Sequence, residues 1–162
     1  MLETKIKVDL RDVEELARRF PKVSVAAAEA KATEALQLLE REVISGTPYG
    51  AGPIHLRETI HGKVRTMGRT VVGILGTPLE HGEPVELGTK PHFPPLGPIQ
   101  FWVEKKLGYM GKEAESVAFL VARAISRRGT KGAQMFENAF EDNEYKVVHI
   151  LNEIPEEIVR RI

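Results

Sequence analysis

Apolar residues recur at helical spacing over residues 9–20, where Leu10, Val13, Leu16 and Phe20 form one stripe. The pattern predicts an amphipathic helix capped by Asp9 and ended by Pro21. A longer helix is expected over residues 24–45, with Ser24 as its cap and Ala28, Ala32, Leu36, Leu39 and Val43 on its stripe. Its first half is rich in alanine, which favours helix but buries little, so it should pack closely on a neighbour or stand partly free. Residues 46–55, GTPYGAGPIH, read as a loop that is long for a connection within a compact domain.

From Leu56 the period changes. Ile60 and Val64 alternate with polar residues, and a turn at Met67–Arg69 precedes the run TVVGIL. This predicts an antiparallel hairpin of about residues 60–76, with Gly68 in the strained position of its turn. Gly73 inside the second strand signals a bulge or a close backbone approach. Two strands alone are rarely stable, so they must lie on the long helix or pair with a further strand. Residues 77–98 are rich in proline and glycine, with a short apolar piece at residues 85–87 read as a strand that turns sharply at Gly88 and Thr89.

Pro98 opens a helix with Ile99, Trp102, Val103 and Leu107 on one face, ended by Gly108. A further helix is expected over residues 113–128, with Val117, Leu120, Val121, Ala124 and Ile125 inward and Arg127 and Arg128 at its C-terminal end. Phe136, Ala139, Phe140 and Val147 begin a last amphipathic segment, which Pro155 interrupts. The fold class is α+β, with helices packed around a small antiparallel sheet and a long N-terminal helix. A single domain over 1–162 is expected, with loop 46–55 and segment 77–98 as its mobile or docking regions.

Composition narrows the function classes. The 162 residues contain no cysteine, which removes disulfide scaffolds, thiol nucleophiles and thiolate metal sites. Lys and Arg number 23, as do Asp and Glu, so the cationic excess of a dedicated nucleic-acid binder is missing. The charged N-terminus does not read as a signal peptide, and no apolar run approaches the roughly 20 residues of a spanning helix. The expectation is a soluble, intracellular protein without a membrane partner.

Catalytic constellations are poorly supported. The histidines are His55, His61, His81, His92 and His149, and no two stand four residues apart on a helix with an acid beside them. His81, Glu83 and His92 come nearest to a cluster, so a metal-dependent hydrolase built on them is the weakest reading. Ser24, Ser45, Ser116 and Ser126 all have helical or capping explanations, and none sits in a nucleophile elbow. The paired acids Glu14–Glu15 and Glu156–Glu157 fit solvated helix faces. No catalytic, metal or cofactor residue is assigned. Arg123, Arg127, Arg128 and Lys131 form a basic patch that serves helix capping and acid pairing or contacts DNA or an acidic partner.

The stretch VELGTKPHFPP, a Trp-containing helix and ARAISRRGTK follow one another. Together they resemble the tail-component family of long-tailed bacteriophages of the lambda and HK types, which are tail-completion or head–tail joining proteins. The matching positions are Val85, Glu86, Gly88, Thr89, Pro91, Pro94 and Pro95, then Trp102, then Ala122, Ala124, Ile125, Gly129 and Thr130. Upstream, Thr47, Pro48, Gly52, Leu56, Arg57 and Ile60 resemble the family's T-P-x-x-x-G-x-L-R-x-x-I, so the likeness spans roughly residues 36–141.

The resemblance implies a structural protein of the virion neck or tail, assembled in the host cytoplasm, without enzymatic activity or cofactor. It implies binding to the tail tube or tail terminator on one side and the head connector on the other, and self-association into a ring, six-fold as in the tail. A ring needs heterologous contacts, for which loop 46–55 with Tyr49 and the segment with His81, Glu86, Thr89, Lys90, His92 and Phe93 are the expected surfaces. A proline-stiffened loop loses little entropy on binding, and tyrosine suits interfaces, which agrees with that expectation. The alternative reading is a nucleic-acid-binding module using the basic patch.

Overall fold

The computed structural model describes residues 2–8, 14–48 and 55–162. The chain is α+β, and the single domain expected over 1–162 is organised as two compact units. Unit 1 comprises Met1–Gly46, Ile60–Thr77 and Met135–Ile162; unit 2 comprises Thr47–Thr59 and Pro78–Gln134.

Unit 1 is built on the expected hairpin, β2 (His61–Met67) and β3 (Thr70–Thr77), with Gly68 at φ 62° in the turn. An unforeseen strand, β1 (Leu2–Val8), pairs antiparallel with β3, so the sheet order is β1-β3-β2. The charged run LETKIKV hid it, because an edge strand can alternate charge with apolar residues and still bury one face. Ile6 is buried there while Glu3, Lys5 and Lys7 are exposed. On β3, Val71, Leu75 and Thr77 point with Gly73 to the buried face.

That face receives α2 (Pro21–Gly46), the long helix. The register of β3 with both neighbours runs unbroken through Gly73, so the glycine marks a close approach and not a bulge. A Cβ built there would stand 3.0 Å from the Leu36 side chain. Glu40 further ties helix to sheet by accepting the Gly62 N–H at 2.6 Å. The alanine-rich half is sandwiched: Ala27, Ala28 and Ala32 cluster with Val71 from the sheet and with Ile154 and Ile158 from the C-terminal helix. Small side chains let α2 approach neighbours on two sides at once. Alanine is thus the packing residue here, and the choice that it packs or stands free resolves to packing.

Two boundaries differ from expectation. Pro21 starts α2 instead of ending the preceding helix, because a first-turn N–H needs no partner and proline lacks one. Ser24 is therefore inside the helix, its Oγ donating to the Phe20 carbonyl at 3.0 Å, and does not cap it. Of the helix expected over 9–20, α1 (Glu14–Arg19) is described, while Asp9, Leu10 and Val13 lie outside the described residues. α6 (Met135–Asn152) and α7 (Ile154–Arg161) close the unit, with Pro155 in the first turn of α7. Lys31 holds α7 to α2 by donating to Glu153 at 2.5 Å and to Glu34 at 2.9 Å.

Unit 2 contains a 3-10 turn (Leu56–Thr59), α3 (Gly82–Leu87), β4 (Gly88–Thr89), α4 (Leu96–Leu107), α5 (Gly111–Arg128) and β5 (Thr130–Lys131). Its core is small: Val103, Ala114 and Ala118, with Ile99 and Val117 packed against them. Gly108, in the left-handed region at φ 77°, stops α4 as expected. α4 begins at Leu96, two residues before Pro98, which remains within the first turn where proline is tolerated. Residues 82–87 are a helix, not the short strand expected around 85–87; Pro84 falls in its first turn and Gly88 donates back to the Pro84 carbonyl.

Candidate protein-interaction surface

Unit 2 is held at one end by a backbone clasp. The tripeptide Gly-Thr-Lys occurs twice, at residues 88–90 and 129–131, and the structure pairs the two copies antiparallel as β4 and β5, Thr89 opposite Thr130. The threonine hydroxyls meet at 2.9 Å, and the Thr130 N–H donates to Thr89 Oγ1 at 3.2 Å. Gly88 (φ 78°, ψ −175°) and Gly129 (φ 71°, ψ −161°) both occupy a region of backbone space open essentially to glycine alone. A Cβ on Gly129 would stand 1.9 Å from the Thr89 carbonyl oxygen, and one on Gly132 2.2 Å from that of Glu86. Ala133 and Gln134 extend the clasp by donating to the carbonyls of Val85 and Glu86 at 2.8 and 3.1 Å. Gly-Thr at 88–89 and at 129–130 thus has a packing reason, and Thr89 is spent within the fold.

The upstream motif closes in a similar way. Arg57 Nε donates to the Thr47 carbonyl at 2.6 Å, and Thr47 and Leu56 are buried. These contacts fasten the two ends of loop 46–55. Tyr49 itself lies outside the described residues.

The remaining expected contact residues divide. Glu86 is 4% exposed, so its carboxylate faces inward and is not a surface group; α3 turns that side of the helix into the unit. His81 stands exposed at the start of α3, and Lys90 and His92 are exposed, with His92 Nδ1 2.9 Å from the Lys90 carbonyl oxygen. Phe93 is 54% exposed, and its ring lies 6.2 Å from that of Phe119 on α5 at a tilt of 54°. Phe119 had no place in the expected surface, yet the structure joins it to Phe93.

The face of α5 is where the sequence misleads most. Ala114, Ala118 and Ala122 point inward, and Leu120, expected inside, is 60% exposed. Alanine at every fourth position lets α4 and α5 pack closely, and this rotates the larger apolar residues outward. Leu120 lies between two shallow hollows. One, of about 430 Å³, is lined by Leu96, Glu115, Ser116 and Phe119 together with Leu120. The other, of about 470 Å³, is lined by Leu120, Arg123, Ala124, Arg127 and Arg128. Arg123, Arg127, Arg128 and Lys131 are all exposed, and among the described residues none of the four makes an ion pair, so the acid pairing weighed for them is not found.

All five described aromatic residues of unit 2 are half-exposed, from Trp102 at 39% to Phe93 at 54%. Of these, Phe93 and Phe119 adjoin, and Phe119 shares a hollow with Leu120, which also lines the arginine-bearing one; apolar groups beside cations in this way suit binding by burial and charge. Among the described residues no three His, Asp or Glu side chains come together as a metal ion requires, those of His81, Glu83 and His92 included. Nor, among the described residues, is any helix long and apolar enough to cross a membrane. Among the described residues the displaced titrations lie in unit 1, where the hydrogen bond from Lys31 lowers the Glu153 carboxyl and that from Arg161 lowers Glu157. No family model, curated protein or solved structure matches the chain.

Proposed function

We propose that this chain is a structural virion protein of a bacteriophage or prophage, completing the tail or joining head and tail, and acting by protein–protein binding in a ring. The observation that carries the binding part is the half-exposed aromatic set of unit 2, Phe93, Phe101, Trp102, Tyr109 and Phe119. Being already half-buried, each such side chain contributes about 1 kcal/mol when a partner buries the rest, before the costs of association. The resemblance in VELGTKPHFPP and ARAISRRGTK supplies the virion context, with the tail tube or terminator and the head connector as partners.

Interrupting the gene in an inducible prophage tests this reading by electron microscopy of the lysate. Filled heads and separate tails are expected, and joining returns when the gene is supplied in trans. Supplying His92→Ala should restore the folded protein but not the joining, since His92 is exposed and its ring nitrogen meets only the Lys90 carbonyl two residues away among the described residues. A normal yield of joined particles without the gene would sink the proposal.

A further inference from the structure

Two helix faces of this chain are exposed and carry opposite charges free of ion pairs, with Lys146 of α6 turned aside, its ammonium 5.6 Å over the Tyr145 ring and donating to Asn143. On α5, with Ala114, Ala118 and Ala122 inward, the opposite side carries Leu120, Arg123 and Arg127. On α6, with Phe136, Ala139, Asn143 and Val147 inward, the opposite side carries Glu141, Glu144, Tyr145 and Val148. Tyr145 is 70% exposed and Val148 48%. Among the described residues Glu141 and Glu144 make no ion pair, as Arg123 and Arg127 make none.

We infer that the outward face of α5 docks on the outward face of α6 of a second copy of this chain, with the two helices antiparallel. The inference rests on the self-association in the proposed function and names its contact surfaces. Leu120 and Arg127 are two helical turns apart, as are Glu141 and Val148, about 10.5 Å in each helix at the usual rise. Run antiparallel, Leu120 meets Val148 while Arg127 meets Glu141, and Arg123 comes beside Glu144 and Tyr145. Run parallel, the leucine meets a carboxylate and an arginine meets the valine, so the charge pattern selects the antiparallel register.

The two faces differ, so the contact is heterologous: it leaves a free α5 face on one copy and a free α6 face on the other, and it propagates. Equal numbers of acids and bases, 23 each, leave no net repulsion to oppose it. A contact two helical turns long is small, placing it among weak interfaces that assemble when subunits are concentrated.

The absence of cysteine makes the test direct. Purified full chain carrying Leu120→Cys and Val148→Cys together is oxidised at high concentration and run on a denaturing gel. A ladder of dimer, trimer and larger species is expected. A mixture of the two single variants should give one disulfide-linked heterodimer in preference to either homodimer. Arg127→Glu should lower the cross-linked fraction about tenfold, and adding Glu141→Arg to the same chain should restore it. All four positions are on exposed faces, and circular dichroism verifies that each variant is folded.

No ladder overturns the contact, as does a Leu120→Cys homodimer, which would mean a symmetric interface. Cross-linking indifferent to Arg127→Glu also overturns it. The readout uses purified protein, so it stands or falls separately from what loss of the gene does to virus particles.

Discussion

In unit 1 the long helix α2 is contacted by the sheet on one side and by α6 and α7 on another, and Leu39, Val43, Val71 and Leu75 are wholly buried. Among the described residues of unit 2 the fully buried apolar set shrinks to Val103, Ala114, Ala118 and Ala122, while the aromatics remain half outside. Unit 1 buries large apolar side chains such as Leu39, Ile60 and Leu75 in its own core and leaves a few, among them Tyr145 and Val148, outside. The other holds its shape with small side chains and a glycine clasp, and keeps the large ones at the surface. Surface area that a fold leaves unburied is available to a partner, so the difference points to unit 2 as the half that offers the aromatic contact.

The comparison is most exposed at the clasp. Gly129→Ala should cost on the order of 4 kcal/mol, because glycine-only backbone angles and a forced displacement of the Thr89 carbonyl both oppose it. Amide exchange should then show α4 and α5 losing protection while β3 and α2 keep theirs. Equal loss in β3 would mean that the two units share one cooperative core.

A matched pair of leucines sharpens the contrast. Leu39→Ala, at a fully buried site in unit 1, should cost about 3 kcal/mol in urea denaturation. Leu120→Ala removes the same atoms from unit 2 and should change stability by less than about 0.5 kcal/mol. Similar losses at both positions would show that the outer face of α5 is covered in the free protein.

The smallest effect concerns polar cohesion within unit 1. Its hydrogen bond to Glu153 raises the Lys31 ammonium above its ordinary 10.5, and the same bond lowers the Glu153 carboxyl below its ordinary 4.5. The stabilisation is full between those two ordinary values. It declines as pH falls through the lowered carboxyl pKa, and again as pH rises through the raised ammonium pKa. Lys31→Met should reduce the melting temperature slightly at neutral pH and flatten both flanks of its pH profile. An unchanged profile would remove this pair from the account of unit 1.

Legibility in the sequence followed the same division. The hairpin with Gly68, the long α2 and the stop at Gly108 rest on local signals: alternation, helical spacing and a glycine where backbone sterics demand one. Strand β1 was hidden because an edge strand can carry Glu3, Lys5 and Lys7 outward, which reads as a solvated segment. Helix α3 was hidden because Pro84 and Gly82 are loop signals whose cost vanishes in a first turn. At the candidate surface, exposed His81, Lys90, His92 and Phe93 were legible as residues of a projecting proline-rich stretch. Glu86 was not legible as buried, nor Phe119 and Leu120 as exposed, because each outcome depends on which side of its helix another element covers.

The chain's own residues determine an α+β architecture without disulfides, a hairpin with Gly68 in its turn that needs further packing, and the glycine that stops a helix at 108. Periodicity supplies stripes, and local backbone preference supplies turns. Only the tertiary structure decided that alanine and not leucine would be the inward stripe of α5, and that two Gly-Thr-Lys segments far apart in sequence would clasp. Both are contacts between distant segments, where close backbone approach and the covering of one face are settled by the neighbour, and no local pattern encodes the neighbour.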